Sequence, residues 1–280
     1  MTSVQNYKGK IIRFSLHTIL SLEELGFVPE EYSKFKHGAE NIARKYGYEL
    51  AEKFISNCFS KTYDGNPIVI LPSAYSHIPT ASFRMKNYFV DKLNEYLAEN
   101  NFPVPEEAKI YRTVSYREDY GEMSAEQRYN LIKNDGFYMD RKFIENKTIL
   151  HLDDMKITGT HERIIIDIFN RNNLSNDCFM LYFAELGNEQ IPPNIENYLN
   201  HKFVKSLDDI NGIIKNEQFS FNTRVVKYIL NATDDQFDKF VEEQNSFFVN
   251  DLYYNAIGNE YFKFPVYLRN LTKLKQLIST

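Results

Sequence analysis

The chain has no tryptophan, only two cysteines in 280 residues, and no excess of positive charge. Each shortage excludes something. Cys58 and Cys178 lie far apart and match no metal or redox spacing. Two thiols make no disulfide framework, which points to a reducing compartment. Lys and Arg number 33 against 38 Asp and Glu, a net charge of -5, and no basic face of the kind a large nucleic-acid footprint needs stands out. The locally basic stretch at Arg269, Lys273 and Lys275 reads as a solvated helix face. No apolar run is long enough to span a membrane, and Met1 to Asn6 hold no apolar signal core. The expected location is the cytoplasm, with neither nucleic acid nor membrane as a partner. No glycine-rich nucleotide loop occurs, and no nucleophile elbow. His77, His151 and His161 do not have zinc-ligand spacing.

What is present fits a packed α/β protein. Hydrophobic residues make up 43% and charged residues 25%, which suits a folded core. Residues 22–60 read as helical, with Ala43, Leu50, Ala51, Phe54 and Ile55 at helical spacing. After a turn at Asp64-Gly65-Asn66-Pro67, Ile68-Val69-Ile70-Leu71 is a continuous apolar run, as in a strand buried on both faces. Residues 72–77 form a loop, and Pro79 suits the first position of a helix. Residues 110–116 read as the next strand. A long polar stretch, 117–146, has the length of a functional loop. Residues 148–152 are a third strand, followed by a helix to about Asn170, and residues 179–184 a fourth. This alternation predicts a parallel sheet with helices on both faces. Beyond Ile191-Pro192-Pro193 the period becomes helical throughout. The expected divisions are an N-terminal helical segment (1–66), an α/β core (67–187) and a helical C-terminal extension (188–280).

The run Thr148-Ile149-Leu150-His151-Leu152-Asp153-Asp154-Met155-Lys156-Ile157-Thr158-Gly159-Thr160 carries the chemistry. It reads as a strand ending in two carboxylates, then a turn with one glycine, then a helix starting near His161. Acidic oxygens suit a sugar diol or a hard cation such as magnesium. Backbone N–H groups at a helix start suit a phosphate. Ligands of open α/β sheets bind beyond the carboxyl ends of the strands, where this segment falls.

Residues 149–160 resemble the phosphoribosyl pyrophosphate (PRPP) motif of type I phosphoribosyltransferases, and the resemblance covers about residues 68–184. It implies a type I phosphoribosyltransferase fold. It implies that Asp153 and Asp154 face the ribose hydroxyls, directly or through the water shell of Mg²⁺, as the catalytic and metal-binding pair. Thr158, Gly159, Thr160 and His161 become the 5′-phosphate loop, and Ser73, Ala74, Tyr75, Ser76 and His77 the pyrophosphate loop. Residues 117–140 correspond to a mobile loop, with Arg117 and Arg128 as its candidates to reach the pyrophosphate. The N-terminal segment becomes a hood to which Lys36 or His37 contributes. The chain departs from the motif at four places. His151 and Lys156 replace apolar residues and are expected to face outward. Ile157 stands where Thr or Asp is frequent, and His161 where a hydroxyl caps the phosphate. The implied activity is Mg²⁺-dependent transfer of phosphoribosyl from PRPP to an unidentified small-molecule acceptor. A non-catalytic PRPP- or nucleotide-binding regulator of the same fold is the alternative. A homodimer is compatible with either.

Overall fold

A computed structural model describes residues 6–112 and 137–279. Among the described residues, five strands form one sheet in which every neighbouring pair is parallel. In spatial order they are β1 (Ile11–Ile19), β7 (Cys178–Leu186), β6 (Thr148–Lys156), β2 (Ile68–Pro72) and β3 (Glu106–Glu107). Tyr111–Arg112 (β4) and Phe137–Tyr138 (β5) pair separately as a two-stranded antiparallel ribbon.

Strand alternation sends neighbouring residues into opposite layers. Ile68, Ile70, Leu150 and Leu152 enter one apolar cluster, together with Tyr46, Leu50 and Phe54 of α2 (Glu40–Phe54) and Met85, Phe89 and Leu93 of α3 (Ala81–Glu99). Val69, Leu71 and Ile149 enter the other, with Ile165 and Phe169 of α4 (Thr160–Arg171). The result is the expected parallel sheet with helices on both faces.

After β7 come six helices: α5 (Ile195–Asn200), α6 (Leu207–Asn216), α7 (Thr223–Leu230), α8 (Asp234–Glu242), α9 (Ser246–Gly258) and α10 (Pro265–Ile278). Their buried residues, among them Leu199, Ile210, Ile229 and Leu252, join the first cluster, so sheet and extension share one continuous core. The extension also grips α1 (Pro29–Lys36) and the chain after it. Ser33 Oγ donates to the Asn200 carbonyl at 2.7 Å, and Glu40 N–H to the Gln218 carbonyl at 2.7 Å. Among the described residues no helix is long and apolar enough to cross a membrane.

Four details differ from the sequence reading. Residues 1–66 are not wholly helical, because β1 lies there and pairs with β7. Of the segment 110–116, the described residues 110–112 add no strand to the main sheet: Tyr111–Arg112 pairs with Phe137–Tyr138, and Glu106–Glu107 takes the edge beside β2, while 113–116 lie outside the described residues. The helix after the β2 loop starts at Ala81, two residues beyond Pro79. β6 runs past Leu152 to Lys156, because β7 continues to pair with it, Asp153 opposite Tyr182 and Lys156 opposite Glu185.

Candidate functional site

Because β6 extends, Asp153 and Asp154 lie within a strand, and its alternation turns them to opposite sides. Asp153 shares a side with His151 and meets α4, where His161 Nδ1 lies 3.2 Å from Asp153 Oδ2. Asp154 turns toward α1. Its Oδ2 accepts from the Tyr32 hydroxyl at 2.6 Å and pairs with Lys36 Nζ at 2.5 Å. Both acids are buried, at 5% and 7% exposure.

Their protonation therefore differs. Burial opposes ionisation of Asp153, but the His161 hydrogen bond and charge outweigh it and hold the carboxyl well below the usual range. Burial raises the Asp154 carboxyl, and the charge on Asp153 adds to the rise against the pull of Lys36. Asp153 is the more firmly ionised of the two.

The turn after the acids is built for a backbone role. Gly159 adopts φ +67°, a left-handed conformation that costs other residues free energy. It is the N-cap of α4, whose first-turn N–H groups have no intrahelical partners. The hydroxyls of Thr158 and Thr160 lie 2.8 Å apart across the turn. Glu162 fixes this first turn to the sheet. It accepts from Arg13 at 2.8 and 3.0 Å and from the Tyr182 hydroxyl at 3.0 Å, and Lys156 lies 3.3 Å away. Lys156 thus faces a buried acid rather than open solvent. His151 is also buried, and its Nδ1–H donates to the Leu71 carbonyl at 2.9 Å. Neither residue simply faces outward as expected.

A cavity of about 700 Å³ opens over this end of the sheet. Asp153, Asp154, Thr158, Gly159, Thr160 and His161 line it, as do Ser73, Ala74, Tyr75 and Ser76 from the loop after β2. Ser73 Oγ donates to the Leu152 carbonyl at 3.3 Å, which seats that loop beside β6. His77 is not part of the wall. A Cβ on Gly258 would come within 2.3 Å of the His77 ring, so this side chain packs against the end of α9. Lys36 reaches the cavity, whereas His37 is buried with Nδ1 2.8 Å from the Ser33 carbonyl. Arg117 and Arg128 lie outside the described residues.

The sequence reading missed the other wall. Glu196, His201, Lys205, Arg224, Lys227 and Tyr228 of the C-terminal extension line the same cavity. Arg224, Lys227 and Tyr228 share one face of α7, at i, i+3 and i+4, opposite the buried Val225, Val226, Ile229 and Leu230. An amphipathic helix of this kind carries no sign in sequence of what its polar face meets.

Among the described residues, no group of three or more His, Cys, Asp or Glu side chains could hold a metal ion. Asp154 Oδ2 is engaged by Lys36 and Tyr32, and Asp153 Oδ1 accepts the Asp154 N–H. This donor set does not fit an ion caged by protein. It fits Mg²⁺ in its usual manner, with one or two carboxylates and most positions left to water and substrate phosphate.

A search of curated proteins found no match. Solved structures with a resembling fold include hypoxanthine-guanine phosphoribosyltransferase of Leishmania donovani, 15% identical, with 52% of this chain and 68% of that chain covered at a TM-score of 0.31. Hypoxanthine phosphoribosyltransferase of Trypanosoma cruzi in complex with its product IMP is 15% identical over 55% of this chain and 72% of that chain, TM-score 0.31. The Staphylococcus aureus hypoxanthine phosphoribosyltransferase is 12% identical over 54% and 76%, TM-score 0.29. A family model described as PRTase ComF-like matches residues 11–274, from β1 into the last helix, so both walls of the cavity fall inside the match, and the chain belongs to that family.

Proposed function

We propose that this protein binds PRPP in the cavity and transfers its phosphoribosyl group to a second small molecule, releasing pyrophosphate. The supporting observation is one continuous stretch: a buried, ionised Asp153, its neighbour Asp154, the left-handed Gly159 turn and the start of α4, all facing one cavity. In this reading the N–H groups of Thr158, Gly159, Thr160 and His161 hold the 5′-phosphate. Asp153 holds the ribose hydroxyls, and Asp154, fixed by Lys36 and Tyr32, keeps β6 and α1 in register around them. As the bond from C1′ to the pyrophosphate oxygen breaks, its electron pair leaves with pyrophosphate and positive charge grows on the sugar. The fixed negative charge of Asp153 stabilises that sugar. The acceptor's lone pair then forms the new bond to C1′. Mg²⁺, when bound, neutralises phosphate charge. The segments before β2 and after β7 together close the cavity as a hood over the acceptor.

The test follows pyrophosphate release from PRPP and Mg²⁺ with a pool of nucleobases, comparing wild type with Asp153→Asn/Asp154→Asn. Base-dependent release that the double variant loses is the expected result. PRPP binding with no turnover by any acceptor would favour a second reading, a PRPP- or nucleotide-binding regulator. One observation supports that alternative: an internal cation, Lys36, already occupies Asp154. Absence of binding contradicts both readings.

A further inference from the structure

The two walls of the cavity differ in charge. On the strand side, Lys36 is paired with Asp154 and Lys156 with Glu162. The extension brings Lys205, Arg224 and Lys227 to the other side, with Glu196 as its carboxylate. Arg224 and Lys227 are half-buried and one helical turn apart on α7.

α7 is held against the loop after β2. Thr223 N–H donates to the Pro79 carbonyl at 3.0 Å, and Asn222 Nδ2 donates to the Lys36 carbonyl at 3.2 Å. Arg224 therefore stands one residue beyond an anchor on that loop. Its charge is also felt at Tyr32, the residue bonded to Asp154.

The loop itself has lost donors. Asn259 Oδ1 accepts the N–H groups of both His77 and Ile78, each at 3.1 Å. The His77 ring is packed on Gly258. Two main-chain donors and one side chain at the end of this loop are thus engaged by the extension. The same extension carries Arg224 next to its anchor on this loop and Lys227 one helical turn further along α7.

We propose that Arg224 and Lys227 of the C-terminal extension form the diphosphate subsite, in place of the main-chain donors at His77 and Ile78. This inference rests on the reading of the cavity as a PRPP site. The planar guanidinium of Arg224 suits two phosphate oxygens at once, and the Lys227 ammonium acts as a point charge. When the bond from C1′ to the diphosphate oxygen breaks, the electron pair goes to that oxygen, and these cations balance the charge it gains. The extension is then part of the reaction centre, and α7 is the element that reads whether the sugar phosphate carries a diphosphate.

Calorimetric titration tests this with PRPP and with ribose 5-phosphate, both with Mg²⁺, on wild type, Arg224→Gln, Lys227→Gln and the conservative Arg224→Lys. Each Gln variant is expected to weaken PRPP binding about 10- to 100-fold, the range for a charge-assisted contact. Ribose 5-phosphate, which lacks the diphosphate, is expected to bind all variants within about twofold of wild type, and Arg224→Lys to recover part of the PRPP loss. Retained ribose 5-phosphate binding also reports an intact fold. PRPP affinity unchanged in both Gln variants, or an equal loss for both ligands, overturns the inference and leaves the PRPP reading standing. Wild-type protein that binds neither ligand overturns the PRPP reading and the inference with it.

Discussion

The cavity has one wall made largely of main chain and one made of side chains. The β6–α4 wall offers helix-start N–H groups around Gly159 and two carboxylates fixed within a strand. The α5–α9 wall offers long cationic side chains on helices whose other faces are core. The first kind of wall tolerates changes of side chain and fails when its backbone or its fixed charge is altered. At the second, substituting Arg224 or Lys227 should remove charge without reshaping the wall. On the proposed reading, a site divided this way keeps its grip on a sugar phosphate while its preference for what is attached changes.

Substitutions on the two walls should therefore behave differently. The largest effect is expected at the fixed charge: Asp153→Asn lowers kcat/KM for pyrophosphate release about 100- to 1000-fold, the range for loss of one preorganised electrostatic group. Steady-state kinetics checks this, and a change below tenfold would remove Asp153 from the reaction. Next comes the acid that faces α1. Lys36→Met leaves Asp154 buried without its cation and should cost about 3–5 kcal/mol in urea unfolding. Lys36→Met/Asp154→Leu should recover most of that loss, and a double variant as unstable as the single one would show that the pair does not act as a unit.

On the opposite wall, Asn259→Leu strips a buried acceptor from His77 N–H and Ile78 N–H and should cost about 1–3 kcal/mol. If the unfolding midpoint does not move, Asn259 does not hold the loop. Gly159→Ala forces a side chain into φ +67° and should cost about 1–2 kcal/mol, together with weaker ribose 5-phosphate binding. A loss of stability with unchanged ligand affinity would separate the turn from the phosphate.

Set apart from these substitutions is a pH dependence at His37, behind the α1 side. Burial, then the charge on Arg224, lowers its pKa from 6.5 to about 3, with His201 and Lys36 adding to the drop against the Ser33 carbonyl. The unfolded chain therefore binds a proton that the folded one refuses between these values. This contribution is complete above pH 6.5 and is lost as the pH falls toward 3, at up to about 1.4 kcal/mol per pH unit. His37→Gln should flatten that part of the stability profile, and an unchanged slope would assign it to other groups.

The two walls also differed in how far the sequence revealed them. The β6–α4 wall is one contiguous run, in which a buried strand, two acids, a glycine turn and a helix start each leave a local signature. Its boundary was misjudged because acids resemble a strand end, while pairing with β7 carries the ladder on to Lys156. β1 was missed although Ile12, Phe14 and Leu16 alternate with Arg13, Ser15 and His17, a period of two that marks a half-buried strand. β3 is two glutamates after a proline-containing connection, and only its neighbour β2 makes it a strand. Arg224 and Lys227 carry no signal beyond their place on a helix, because helical spacing says which residues share a side and not what that side meets. Asn259 carries no local signal at all. Its role exists only when α9 closes on the loop after β2.

The most direct test of the account is a crystal structure with ribose 5-phosphate. The predicted result puts the 5′-phosphate within hydrogen-bond distance of the N–H groups of Thr158, Gly159 and Thr160, with the ribose hydroxyls on Asp153. A sugar phosphate bound away from the β6–α4 turn, or none bound at saturating concentration, would contradict it.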